Sequence, residues 1–310
     1  MLDDLMKEYR AAKKRYDAYN PAIEGCLDVA TTCLKLLCDN SDLRYFGDFS
    51  KVDPIQYHVA EGNNRLSRPF RPELFIADVD DFSEQASEFA KRLAPDEDYD
   101  ADLFDRVVYT AVSSFSLCID LWRHKSRKTP GTFFEVFIGS AAIAAFPNYE
   151  SSKHVPIVDE DLGDDVDAMT ETDEVDGDAT EFSGNSVSTD LVITNPANNR
   201  GAVIPLKITT RERIVQPFAH QRILDSAYPG KFASFISCIS ETQRDDNGTT
   251  VKQVCVPGTV ALFQKHLASV NGLYYCDVPR RYAQDDLAQI IAVKPFSQLF
   301  IDVAAHLADD

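Results

Sequence analysis

Residues 186–216 read SVSTDLVITN PANNRGAVIP LKITTRERIV Q, and no other stretch restricts the possible folds as much. Two short runs of β character, 189–194 and 202–208, flank a loop of turn formers, Asn-Pro-Ala-Asn-Asn-Arg-Gly. Runs joined in this way predict an antiparallel hairpin. Asp190 opens the first run and Lys207 closes the second, so the hairpin brings a carboxylate and an ammonium together from adjacent strands. A carboxylate holds hard cations, and a lysine orients or deprotonates water. Together they are the minimum needed for metal-assisted attack on a phosphodiester. The same two residue types also make ordinary solvated ion pairs, and chemistry alone does not separate the readings.

The residues after Lys207 separate them. Residues 207–216 give K-x-T-T-R-E-R-x-x-Q, a string of polar groups at the mouth of a strand. Here the sequence resembles type II restriction endonucleases of the PD-(D/E)xK superfamily whose second acid is absent from its usual place two before the lysine. That place is Pro205, which offers a metal nothing. Such enzymes take the missing carboxylate from a helix elsewhere.

A second block meets that demand. Residues 126–135, SRKTPGTFFE, resemble the S-R-K…G…F-E element of the EcoRII and Ecl18kI type. Thr129-Pro130-Gly131 suits a helix start, with proline in the first turn. Glu135 is the only charged side chain in residues 129–146 and stands among Phe133, Phe134, Val136 and Phe137. An unpaired carboxylate in such surroundings costs on the order of several kcal/mol, so it needs a cation or a metal. The plainer reading turns Glu135 to solvent on the polar side of its helix.

The resemblance covers roughly residues 103–282. It implies an α/β fold: a restriction-endonuclease-like core with a central mixed β-sheet flanked by α-helices and a helical N-terminal region. Residues 1–75 are expected to be scaffold or dimer contacts. Residues 76–310 are expected to be the nuclease domain, with an acidic insert at about 157–185. In this scheme Glu135 and Asp190 hold Mg²⁺, Lys207 orients the attacking water, and Arg213 neutralises charge in the transition state. His220, thirteen residues past Lys207, stands where the family often has a further acid. A neutral imidazole there is a third candidate metal ligand, or an ordinary hydrogen-bonded histidine.

The implied partner is double-stranded DNA. Arg123, Lys125, Arg127 and Lys128 are candidates for reading guanine edges in the major groove, and Arg211 for a further DNA contact. Cations at that position also complement a helix C-terminus without touching anything. Two-fold sites demand two-fold proteins, so a homodimer is expected. A companion DNA methyltransferase acting on the same site is implied, as is a prokaryotic cytoplasm.

The net charge of −19 argues at first against a DNA partner, but its distribution matters more. Removing the −12 of residues 159–181 and the −9 of residues 76–105 leaves +2 for the remainder. The acidic insert reads as a solubilising loop. A tethered DNA mimic and a calcium site are the other readings, though no full EF-hand pattern is present. Seven cysteines without a C-x-x-C pair predict neither a disulfide framework nor a structural zinc site. No apolar run reaches the roughly 20 residues that span a bilayer.

Elsewhere, helical spacing marks residues 1–20, 22–38 and 103–122, the last with one apolar stripe. The arginines of residues 63–72, NNRLSRPFRP, read as a solvated loop or as a phosphate-touching arm. Residues 76–102 read as an acidic, mostly surface segment. Pro217 predicts a new helix. Strands are expected over 232–240, 251–256 and 272–278, and helices over 259–270 and 297–308. Arg280 and Arg281 are further candidates for DNA contact. Two other functions stay open: a nuclease without sequence specificity, and a DNA-binding relative inactivated by Pro205 and His220.

Overall fold

Apolar side chains three and four residues apart build the first two helices, α1 (Leu2–Asp17) and α2 (Ile23–Asn40). The structure is a computed structural model that describes residues 2–50, 54–96, 98–126, 128–157, 186–245, 247–282 and 285–308. The side chains of residues 211, 212, 285 and 286 fall outside that description, as do Arg127 and nearly all of the acidic insert.

After α2 come three antiparallel strands, β1 (Asp42–Phe49), β2 (Ile55–Gly62) and β3 (Arg65–Leu66). They were not apparent in the sequence, because β1 alternates between half-buried and exposed positions with no clear apolar face. The acidic stretch beyond them holds a helix, α3 (Val79–Phe89), capped by Asp78, whose side chain accepts from the amides of Asp80 and Asp81. Phe82 and Phe89 on its inner face are fully buried, while its acids face outward on a mostly surface segment, as expected.

Helix α4 (Ala101–Trp122) runs through the centre. It was expected to bury one stripe, yet every residue from Val107 to Ile119 is buried, because α2, α3, α5 and the sheet surround it. Two of its hydroxyls have clear partners. Ser114 Oγ donates to the Ala111 carbonyl at 3.1 Å, and Thr110 Oγ1 accepts from the Ile76 amide at 2.9 Å. Helix α5 (Thr129–Ala145) packs Phe133 on Phe115 with ring centroids 4.2 Å apart. Deleting a buried ring of this kind costs about 3–5 kcal/mol.

The remaining elements form the main sheet and its cover. They are β4 (Glu150–Pro156), β5 (Ser186–Asn195), β6 (Arg200–Val203), β7 (Leu206–Lys207), α6 (Val215–Ala227) and β8 (Phe232–Ser240). Next come β9 (Thr242–Arg244), β10 (Val251–Gln253), α7 (Pro257–His266), β11 (Gly272–Asp277), α8 (Asp285–Ala288), β12 (Val293–Pro295) and α9 (Gln298–Ala308). The sheet order is β12-β11-β8-β6-β5-β4, with β7 also paired to β8. Strands β12, β11, β8, β6 and β7 pair in parallel, and β6-β5-β4 are antiparallel, so the sheet is mixed as expected.

Period-two alternation distributes the sheet residues among three apolar clusters, the smallest holding Val155, Val187, Val192 and Val203. Leu191, Ile193, Phe235, Ile239 and Tyr274 face the large helical core, which also takes in α1 and α2. Ile236, Cys238, Leu273 and Tyr275 face a second one under α6 and α7. All seven cysteines are free thiols, and no described helix is long and apolar enough to cross a membrane.

One buried acid makes stability depend on pH. Asp105 accepts from Ser297 N at 2.6 Å and Ser297 Oγ at 2.8 Å, yet burial pushes its carboxyl up to about 6. The folded value lies above the unfolded one, so its contribution is fully present below about pH 4 and is lost as pH rises through about 6. A shift of this size corresponds to about 2–3 kcal/mol. Asp105→Asn should therefore flatten the change in unfolding free energy between pH 4 and 7. Denaturant titrations across that range give the difference, and an unchanged profile would contradict it.

Candidate active site

The predicted hairpin is present. Val192 pairs with Val203, and Asn195 pairs with Arg200 across the turn. The second strand is interrupted at Ile204-Pro205, because proline has no amide to donate, and pairing resumes in β7. The Leu206 amide and Lys207 Nζ both donate to Asp190 Oδ2, at 2.7 and 2.6 Å. The strand break thus clamps the carboxylate and points the lysine at it.

On the other side of Asp190 the pairing slips. Ser152 lies opposite Val192 and His154 opposite Ser188, so Lys153 alone faces the three residues Thr189, Asp190 and Leu191. Such a bulge bends a strand and re-aims its side chains. Asp190 sits in the middle of it.

Glu135 arrives from α5. Its neighbours Phe133, Phe134 and Phe137 are fully buried, while its own side chain keeps 18% exposure and lines the same cleft as Asp190 and Lys207. The cation demanded by its surroundings is present: Lys153 Nζ lies 2.6 Å from Glu135 Oε1. Burial raises the Glu135 pKa, Lys153 opposes that rise, and the nearby Asp190 charge adds to it. The plainer reading, a glutamate simply turned to solvent, is not what the structure holds.

The cleft encloses about 1250 Å³. Six of its lining residues are Lys or Arg and four are Asp or Glu, so it runs against the sign of the whole chain. Arg213 lies exposed on its edge, its guanidinium 3.3 Å from the Thr209 carbonyl. Lys128 lines it as well, whereas Arg123 and Lys125 do not. Arg127 lies outside the described residues.

His220 is placed elsewhere. It opens on a separate pocket of about 210 Å³ that shares Asp190 and Lys207 but not Glu135. Burial and the Lys207 charge lower its pKa, with the Asp190 charge opposing them. Among the described residues no three His, Cys, Asp or Glu side chains converge closely enough to enclose a metal. Glu135, Asp190 and His220 thus form no ready-made three-ligand set: the histidine and the glutamate approach Asp190 from different pockets.

Several residues at the site had no signal in the sequence. Glu241, fully buried, accepts from the Thr210 amide at 2.9 Å and from Tyr275 Oη at 3.2 Å, and so anchors the turn after Lys207. Asp277 ties Tyr57, Ser240 and Arg71 together beneath the cleft. The arginines of residues 63–72 are not a solvated loop. Arg68 grips Asp120 with two parallel bonds of 2.8 and 2.9 Å on the cleft wall, and Arg65 lines the same cleft beside His124. Arg281, exposed, donates to the Cys255 carbonyl at 3.1 Å.

No family model and no curated protein matches the chain. Among solved structures, it is similar to the crystal structure of the Type IIP restriction endonuclease Kpn2I, with a TM-score of 0.83 and 40% identity over 98% of each chain. A weaker likeness, TM-score 0.40 and 12% identity over 73% of this chain and 91% of the other, is to restriction endonuclease PspGI solved with substrate DNA. Identity of 40% sustained over almost the full length means that the chain belongs to the type II restriction endonucleases.

Proposed function

We propose that the protein is a Mg²⁺-dependent, site-specific deoxyribonuclease. It hydrolyses phosphodiester bonds of double-stranded DNA at a short, near-palindromic sequence and leaves 5′-phosphate ends. The observation that carries this reading is the meeting of Asp190, Lys207 and Glu135 on one net-basic cleft, built from a hairpin and a helix 55 residues apart at Glu135 and Asp190.

The residues suit the metal. Mg²⁺ is a hard cation that keeps several waters and takes only one or two carboxylates along with substrate phosphate oxygens, so a closed cage of protein ligands is not required. Asp190 and Glu135 supply those two carboxylates; His220, a nitrogen donor in another pocket, is a poor match. When bound, Mg²⁺ acts as a Lewis acid toward the scissile phosphate and lowers the pKa of water. Lys207, fixed at the strand end by Asp190, orients the attacking water in line with the leaving oxygen. Arg213 at the cleft edge offsets negative charge that builds up in the transition state.

The protein works as a homodimer in this proposal, because a near-palindromic site presents the same edges twice. Host DNA is protected by a methyltransferase of the same specificity. Incubating phage DNA with the protein and Mg²⁺ should yield a ladder of discrete fragments. A smear indicates cutting without sequence preference, and intact DNA indicates an inactive relative.

Lys128 lines the cleft and is exposed. Lys128→Ala should weaken binding about equally for all sequences and reduce the slope of log K against log salt by roughly one. Fluorescence anisotropy at several salt concentrations, with Ca²⁺ in place of Mg²⁺, gives that slope. An unchanged slope would remove Lys128 from the phosphate contacts.

A further inference from the structure

Each carboxylate of the site carries its own ammonium. Asp190 has Lys207 at 2.6 Å, and Glu135 has Lys153 at 2.6 Å. Lys207 belongs to the catalytic string, but nothing in the mechanism uses Lys153. Its surroundings are nevertheless specific. Lys153 is the single residue facing the β5 bulge that contains Asp190. Its Nζ also lies 3.6 Å from Asp17 Oδ1 and 5.0 Å above the ring of Tyr16. Tyr16 in turn packs so closely on α5 that a Cβ at Gly139, one turn beyond Glu135, would lie 2.3 Å from its hydroxyl. Helix α1 therefore presents a second carboxylate and an aromatic face to the same ammonium.

We propose that Lys153 is a positioning residue: it holds Glu135 as a resident cation and passes to Asp17 and the Tyr16 ring when a divalent metal takes the glutamate. The pair neutralises Glu135 beside Asp190, where two uncompensated carboxylates repel each other. The same ammonium competes with metal for the Glu135 oxygens. Asp17, at 39% exposure, holds Lys13 Nζ at 2.6 Å through Oδ2, and its Oδ1 is the alternative acceptor that lets Lys153 leave. The cation–π contact favours the ammonium at that end as well. Metal affinity is then set partly by α1, an element that contributes no ligand.

This role for Lys153 rests on Asp190 and Glu135 being the metal ligands, and the test separates the two. Ca²⁺ binding is measured by calorimetry without DNA for the wild type, Asp190→Asn, Lys153→Met, Lys153→Arg and Asp17→Asn. Lys153→Met should bind Ca²⁺ roughly three- to tenfold more tightly, the size expected for removing a partly screened competing ion pair. Lys153→Arg should stay near the wild type. Asp17→Asn removes the alternative acceptor, should weaken binding by a similar factor, and leaves the buried side of α1 intact. A merely structural lysine would lower stability on removal without tightening metal binding. Binding that is lost in Asp190→Asn but unmoved in Lys153→Met and Asp17→Asn overturns the role of Lys153 alone. Wild-type binding that is absent or indifferent to Asp190→Asn overturns the metal site and the role of Lys153 together.

Discussion

Lys207→Ala and Asp190→Asn should each slow DNA cleavage by roughly 10³-fold or more, the loss seen when a group that orients or stabilises the transition state is removed. Asparagine is the cleaner replacement for Asp190. Its side-chain oxygen can still accept from the Leu206 amide, whereas alanine would leave that donor without its partner at a cost of about 1–3 kcal/mol. Both variants should keep the fold, because Asp190 and Lys207 retain about a fifth of their side-chain exposure and pack into none of the three clusters. Specific DNA binding in Ca²⁺ should persist while single-turnover nicking of plasmid disappears. Nicking at the wild-type rate in either variant would take that residue out of the chemistry.

The second large effect concerns Glu135. Glu135→Gln keeps the shape of the side chain but replaces one of the two anionic ligands with a neutral amide, and cleavage should fall by about 10²-fold or more. Stability should change little. Burial already opposes the glutamate charge, so its loss removes a desolvation cost while it weakens the Lys153 pair, and the two effects have opposite sign. Lys153 retains Asp17 at 3.6 Å and is not stranded. A thermal melt beside the kinetics distinguishes a lost ligand from a damaged fold. Full activity with a normal melt would mean that the helical acid is mis-assigned.

The parts of this architecture legible in the sequence are those whose signal is local. The β5–β6 hairpin could be read because its turn formers and apolar runs are contiguous. Helix α5 could be read because Glu135 is a lone charge in an oily stretch, and that loneliness implied a cation. Which cation was not legible. Lys153 sits 18 residues later on a short strand with no apolar pattern of its own, and its other partners come from α1. The Arg68–Asp120 clamp spans 52 residues and looks in sequence like a basic loop followed by a helical acid. Helix α3 was hidden because acids on its solvent face mask the spacing of Phe82, Ala86 and Phe89. Counting along the chain also picked out His220, which α6 places in a pocket lined by Asp190 and Lys207 but not by Glu135.

The resemblance and the geometry contribute different things. The likeness to Kpn2I places the chain in its family. What the residues themselves add is a strand break that fixes Lys207, a bulge that aims Asp190, and a helix that delivers Glu135 to the same cleft. Glu241 and Asp277 lock the loops around them from below. The distribution of acids explains how a chain carrying −19 can present a net-basic cleft. Its acids are concentrated in two segments, and the cleft is built mostly from other parts of the chain.

The measurement that bears most directly on the central claim is the position of a divalent ion. Crystals soaked in Mn²⁺ should show an anomalous peak within about 2.5 Å of carboxylate oxygens of both Asp190 and Glu135, a distance typical of hard oxygen ligation. A peak that contacts His220 and avoids Glu135, or no peak in this cleft at Mn²⁺ concentrations that support cleavage, would contradict the account.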